Sequence, residues 1–185
     1  PVVSCNPINE IKVETVGPPF KGNQVRIAED GEILVKGENV MLGYWNKKDE
    51  TNEVIKEGWL YTGDIGVMDK DGFIKIVDRK KEMVLVSGFN VFPNEVEHVI
   101  SSHPKVLEVG VIGVPDKKTT EAVKAVIVKK DDSLTEDEIK VYCKEKLTSY
   151  KCPKHIGFTD ELPKSNVGKI LRRIIKEEDL KENTY

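Results

Sequence analysis

The sequence predicts an α+β protein: a mostly-β, barrel-like N-terminal segment, a hinge, and a compact β-α-β-β-α-β C-terminal domain in which helices flank a small sheet. Three observations predict it. Up to residue 77, short apolar runs are punctuated by Gly and Pro, which favours strands and turns over helices. The run Asp78-Arg79-Lys80-Lys81-Glu82 then separates two apolar stretches, residues 74–77 and 83–86. Charges that dense are too costly to bury unpaired, so the run reads as exposed chain at a junction. Beyond it, strands alternate with helices that carry clear cap signals. The expected boundaries are 1–77, a hinge at 78–82, and 83–185.

Taken in order, residues 1–24 are broken by Pro7, Gly17, Pro18, Pro19 and Gly22. Residues 24–28 and 32–36 are strand candidates around Asp30-Gly31, a good hairpin turn. Residues 49–56 suit a short helix capped by Asp49. Residues 59–66, Trp59-Leu60-Tyr61-Thr62-Gly63-Asp64-Ile65-Gly66, read as a glycine-punctuated loop before a hairpin that turns at residues 69–72. In the second half, residues 83–87 read as a strand. Residues 93–102 read as a helix with Pro93 in its first turn. Residues 106–114 and 122–129 are β-rich runs able to pair. Thr135 and Glu138 form a capping box, with Leu134 placed to staple onto Ile139. Residues 155–158 suit a last strand, 162–169 a loop and 170–178 a terminal helix. A module of about a hundred residues is large enough to hold its own core.

Bulk properties exclude some classes. A charged fraction of 33% with a net charge of −3 gives no reason to expect nucleic acid as an obligatory partner, and the basic run of residues 169–176 reads better as a solvated amphipathic helix. No apolar run approaches the roughly 20 residues that span a bilayer, and no signal-peptide pattern is present. Cys5, Cys143 and Cys152 are odd in number and widely spaced, which fits reduced thiols of a cytoplasmic protein. The chain opens Pro1-Val2-Val3 without an initiating Met, so it reads as a piece of something longer.

Several residues could carry chemistry. Asp64, after Thr62-Gly63, could accept hydrogen bonds from the two hydroxyls of a ribose; taken alone, a turn aspartate bonding its own backbone is the simpler account. Arg79 could grip phosphate or ribose oxygens with its planar fork; taken alone, a solvated charge run explains it better. Lys169, on a loop bracketed by Pro163, Ser165, Asn166 and Gly168, could bring positive charge to a developing phosphoanion, or be a helix-start lysine facing water. Gly168-Lys169 lacks the spacing of a phosphate-cradling P-loop. Ser87-Gly88-Phe89-Asn90 could let a ligand approach the backbone, or be a plain turn between strand and helix. His98, His103 and His155 share no metal-ligand spacing and read as structural, so no metal site is assigned.

These signals occur together and in order. Residues 58–64 (Gly58 through Asp64), 78–83 (Asp78 through Met83), 87–97 (Ser87 through Glu97) and 162–173 (Leu162 through Arg173) resemble the motifs of the adenylate-forming superfamily of acyl-CoA synthetases and luciferases, and among these bacterial long-chain fatty-acid–CoA ligases most. The resemblance covers essentially the whole chain. It implies a two-step reaction: a carboxylate attacks the α-phosphate of ATP to give acyl-AMP and pyrophosphate, and coenzyme A then displaces AMP to give the thioester. It implies that Asp64 binds the ribose hydroxyls, Arg79 contacts the nucleotide, and Lys169 reaches the α-phosphate and substrate carboxylate as the catalytic lysine. It places the hinge at Lys81 and a coenzyme A channel along Ser87, Gly88 and Phe89. Residues 1–77 become the end of a large adenylation domain and 83–185 its mobile C-terminal domain. ATP or AMP, coenzyme A and a fatty acid are the implied partners, with Mg2+ held by residues upstream of this chain. Peripheral membrane association and self-association of the parent stay open. The phosphate loop and the acyl pocket also lie upstream, so the chain alone is expected to be inactive, and its first part to expose apolar surface. A medium-chain, aryl or carrier-loading ligase of the superfamily, and a non-catalytic docking module, are the alternatives.

Overall fold

The computed structural model describes residues 2–183 and 185, which fall into two units, one ending at Lys81 and the other starting at Glu82. In the first unit, β1 (Gln24–Ile27) and β2 (Glu32–Lys36) form a hairpin in which Ile27 faces Ile33. Gly31 supplies the left-handed backbone of its turn, φ +86°. A short helix, α1 (Lys48–Val54), leads into β3 (Ile55–Lys56), β4 (Trp59–Met68) and β5 (Ile74–Arg79). The cap position of α1 is Lys47. Asp49 lies inside the first turn, where its charge favours the positive helix end.

Residues 59–66, expected as a loop, are instead most of the ten-residue β4, which pairs with β2, β3 and β5. Its glycines hid the strand because it is irregular: the register shifts against β2 between Glu32 and Leu34 and against β5 between Ile65 and Gly66. The described strands form an antiparallel sheet in the order β1-β2-β4-β3, with β5 also on β4. They display a sheet rather than a closed barrel. The core here is small, built on Ile33, Val35 and Ile74. Ile8, Ile11, Val13, Leu42 and Trp45 stay exposed, Trp45 to 89% and Leu42 fully.

The second unit is built on two long strands, β8 (Val106–Asp116) and β9 (Thr120–Lys129), paired antiparallel. Odd-numbered side chains of both, Val109, Val111, Val123, Ala125 and Ile127, enter one core, and even-numbered Ile112, Val114, Ala122 and Val128 enter another. Strands buried on both faces give continuous apolar runs instead of alternation. On one face sit α2 (Pro93–Ser101) and α3 (Glu136–Lys146), which bury Val96, Ile100, Ile139 and Cys143 in the first core. On the other, α4 (Arg172–Glu182) buries Ile175, close enough to Gly110 that a Cβ there would lie 2.6 Å from the Ile175 Cδ1. The sheet is completed by β10 (His155–Thr159), parallel to β9, and by the hairpin of β6 (Val84–Val86) and β7 (Phe89–Val91). β7 is additional to the expected β-α-β-β-α-β order.

Thr135 caps α3 by accepting the Glu138 N–H at 3.2 Å, and Leu134 joins Ile139 in the core. The other half of the expected box is missing because the Glu138 carboxylate is taken by Lys105 at 3.0 Å and lies 3.6 Å from the His103 Nε2. The three cysteines are free, and burial pushes the Cys143 thiol up to about 11. No helix among the described residues is long and apolar enough to cross a membrane.

Two measurements check this packing. Ile139→Ala removes a fully buried side chain and should cost about 2–5 kcal/mol, against about 1 kcal/mol for Thr135→Ala, read from urea unfolding of the chain. In a thiol-labelling experiment at pH 8, exposed Cys5 should react in the native protein and Cys143 only after denaturation.

Candidate nucleotide site and catalytic loop

In the first unit a cleft of about 490 Å³ is lined by Thr62, Gly63, Asp64, Arg79, Lys80 and Lys81. The sheet builds it. Asp64 on β4 and Arg79 on β5 are register partners, so residues fifteen apart in sequence face each other across two strands. Arg79 Nε stands 3.8 Å from Asp64 Oδ1, with 53% and 38% of the side chains exposed. An ion pair that long and that wet is worth little. Both groups therefore remain available to a ligand carrying hydroxyls and phosphate.

What holds Asp64 in place is local. Gly63 takes φ +75°, a backbone conformation that glycine adopts without strain, and this kinks β4. Thr62 Oγ1 donates to the Ile33 carbonyl and accepts the Asp64 N–H at 3.1 Å. The Gly63 N–H, turned away from the regular ladder, donates to Glu32 Oε1 at 2.9 Å. Glu32 is only 3% exposed, and its second oxygen accepts from Lys80 Nζ at 2.8 Å. Lys80 also meets Asp30 at 2.7 Å. That hydrogen bond holds the Asp30 carboxyl below its ordinary range, and with the Glu32 bond it raises the Lys80 ammonium.

Glu32 is the residue the sequence did not single out. It follows an Asp-Gly turn and looks like a hairpin glutamate; only the fold shows that it lies under Gly63 and Lys80. The charged run, expected to be exposed, is not so throughout: Asp78 is buried at 3% exposure, its carboxylate accepting the Arg79 N–H at 2.8 Å. Arg79, Lys80 and Lys81 are exposed, and Lys81 lies in the 3-10 turn Lys80–Glu82.

In the second unit, Ser87 and Gly88 form the two-residue turn of the β6–β7 hairpin, both with positive φ (51° and 85°). It joins two strands rather than a strand and a helix. Phe89 follows, 56% exposed, stacked on Tyr150 with ring centroids 4.8 Å apart. Lys169 is exposed at the end of a closed loop. The loop base is fixed by the bridge of Lys164 to Ile170 and by Lys164 pairing with Glu108. Its tip is fixed by the Ser165 N–H donating to the Lys169 carbonyl at 2.8 Å, and by the Lys169 N–H donating to Ser165 Oγ at 3.1 Å. The backbone is held while the ammonium is free to reach outward. Two of the three histidines have packing roles: His103 is buried edge-on to Tyr142, and His155 packs against Tyr185.

Comparison with known proteins defines the class first. Residues 95–169 match the family model of the AMP-binding enzyme C-terminal domain. That match takes in the end of the third motif, residues 87–97, and most of the fourth, residues 162–173. The particular relatives are narrower. The chain is 58% identical over 163 residues to a long-chain-fatty-acid–CoA ligase of Yersinia pestis (88% of this chain, 29% of that protein) and 52% identical over 189 residues to one of Escherichia coli O6:H1 (96% and 34%). It superposes on the ATP-bound MatB of Rhodopseudomonas palustris with a TM-score of 0.87 at 34% identity (95% and 38%). The chain thus spans about a third of the length of the curated relatives it matches.

Replacing Glu32 tests the kink. Glu32→Ala should lose on the order of 1–3 kcal/mol, because the Gly63 N–H and Lys80 each lose a buried partner. Glu32→Gln, which keeps an acceptor for Gly63, should recover part of it. Amide hydrogen exchange at Gly63 should accelerate in the alanine variant.

Proposed function

We propose that this chain is part of an ATP-dependent long-chain fatty-acid–CoA ligase, supplying a rim of the nucleotide site and the catalytic lysine. The observation that supports this most is the pairing of Asp64 with Arg79 across β4 and β5 at the mouth of a cleft, in a chain 58% identical to such a ligase. A carboxylate facing a guanidinium, both half-exposed, suits the vicinal hydroxyls and phosphate of a nucleotide.

In the proposed reaction the fatty acid carboxylate attacks the α-phosphate of ATP, forming the acyl–phosphate bond and breaking the α–β phosphoanhydride bond to release pyrophosphate. Asp64 accepts hydrogen bonds from the ribose hydroxyls and Arg79 donates to the nucleotide. Lys169 places its charge against the α-phosphate as negative charge builds there. In the second step the coenzyme A thiolate attacks the acyl carbonyl and expels AMP. Lys81 is the proposed pivot, about which residues 83–185 turn between the two steps, bringing Ser87, Gly88 and Phe89 to line the thiol's approach. The first-unit sheet belongs, in this proposal, to a barrel-like lobe at the end of an adenylation domain, residues 1–77, joined to it through the hinge at 78–82.

Mg2+ would neutralise phosphate charge when bound. Its ligands, in this proposal, belong to sequence outside this chain. The phosphate loop and acyl pocket are assigned there too, and the chain by itself is proposed to be inactive.

The test separates the half-reactions in the full-length enzyme. Lys169→Ala should slow oleate-dependent ATP–pyrophosphate exchange by about 10²–10³-fold, while conversion of supplied oleoyl-AMP and coenzyme A to the thioester continues. Normal exchange in the variant would reduce Lys169 to a surface lysine. Activation of another acid in place of oleate would keep the chemistry and remove the long-chain assignment.

A further inference from the structure

We propose that Arg172 is a positioning residue that braces the Lys169 loop against the hinge end of the second unit; the proposal rests on the ligase reading above. Arg172 opens α4, three residues after Lys169. The two residues between them are held: Ile170 pairs with Lys164 and packs on the α4-side core, and the Leu171 N–H donates to the Pro163 carbonyl at 2.9 Å. A displacement at Arg172 is therefore passed to Lys169 with little slack.

The guanidinium, 13% exposed, joins three parts of the unit. Its Nε donates to Glu97 Oε1 at 2.7 Å and its Nη2 to Glu97 Oε2 at 2.5 Å, a bidentate grip on α2. Nη2 also donates to Asn94 Oδ1 at the start of α2. Nη1 donates to Glu82 Oε2 at 2.5 Å. Glu82 is the residue directly after Lys81, the proposed pivot. Glu97 Oε1 in turn accepts the Val111 N–H of β8 at 2.8 Å, anchoring the cluster to the sheet.

One planar cation thus ties the pivot end of the unit, the first helix and the central strand to the root of the catalytic loop. Glu82 and Glu97 are also part-buried carboxylates that converge on it. A lysine can neutralise part of this charge, but it cannot reproduce the fork that engages both carboxylates at once. As the unit turns, the brace makes the pivot end and Lys169 move as one body. Without it the ammonium is no longer delivered to a fixed position, and a misplacement of about 1 Å can cost about 10²-fold in rate.

The experiment uses the full-length enzyme as wild type, Arg172→Lys, Lys169→Ala and the double variant, with ATP–pyrophosphate exchange and thioester formation from supplied oleoyl-AMP measured separately. Arg172→Lys should slow exchange roughly 10–100-fold and leave thioester formation within about threefold of wild type. In the Lys169→Ala background it should add no further slowing of exchange, because a brace that acts through Lys169 has nothing left to position. Penalties that multiply in the double variant, or equal losses in both half-reactions, would mark a merely structural arginine and overturn the proposal. Normal exchange by Arg172→Lys beside an inactive Lys169→Ala would overturn the brace alone. Normal exchange by Lys169→Ala would overturn the ligase site and the brace with it. Should Arg172→Lys fail to fold, Glu82→Ala, which removes only the pivot arm, carries the same test with the same outcomes.

Discussion

The antiparallel ladder between β8 and β9 is the constraint on which the second unit depends. Ten residues of each strand pair, and because both faces are buried, every side chain along the central stretch needs a partner layer. The helices α2 and α3 cover one face and α4 the other. Fixing α4 fixes the root of the Lys169 loop, since the loop closes on itself through Lys164 and Ile170 just before the helix starts. An exposed lysine is thereby mounted on a rigid base, which is the arrangement a catalytic side chain needs if it must reach out of its own domain.

The first unit uses a different device. Its core is small, and order at the cleft comes from polar groups rather than from apolar volume. Glu32 is buried with both oxygens engaged, one by a backbone N–H freed by the Gly63 kink and one by Lys80. A buried charge tolerated only because it is fully partnered is an expensive way to hold a turn. Its effect is to keep Asp64 opposite Arg79 with neither group consumed by the other. The large apolar side chains of this unit, Leu42 and Trp45 among them, stay exposed because its small core leaves them nothing to pack against.

Much of the fold was legible because local signals agreed with the tertiary outcome. The Thr135 cap, the Leu134 staple, Pro93 at the start of α2 and the Asp30-Gly31 turn all state their structure within a few residues. The errors occurred where long-range pairing overrode local chemistry. Residues 59–66 look like a loop because glycines interrupt the pattern, yet pairing along both edges makes them a strand. Asp78 looks solvated because its neighbours are charged, yet the fold buries it. The Glu138 carboxylate looks committed to its own helix end, yet Lys105 and His103 lie closer to hand.

By itself the sequence carried the resemblance. Asp64, Arg79, Lys81, Ser87 to Phe89 and Lys169 stand in four motifs whose order resembles one superfamily, and motif order is a property of the chain alone. Only the tertiary structure decided how those residues are held. That Asp64 faces Arg79, that Glu32 supports the kink beneath them, and that Arg172 links Glu82 and Glu97 to the root of the Lys169 loop all follow from strand register and helix docking. The physical reason is the same throughout: a contact between residues fifteen to ninety apart leaves no local trace in the sequence, because it exists only once the cores have set the distance.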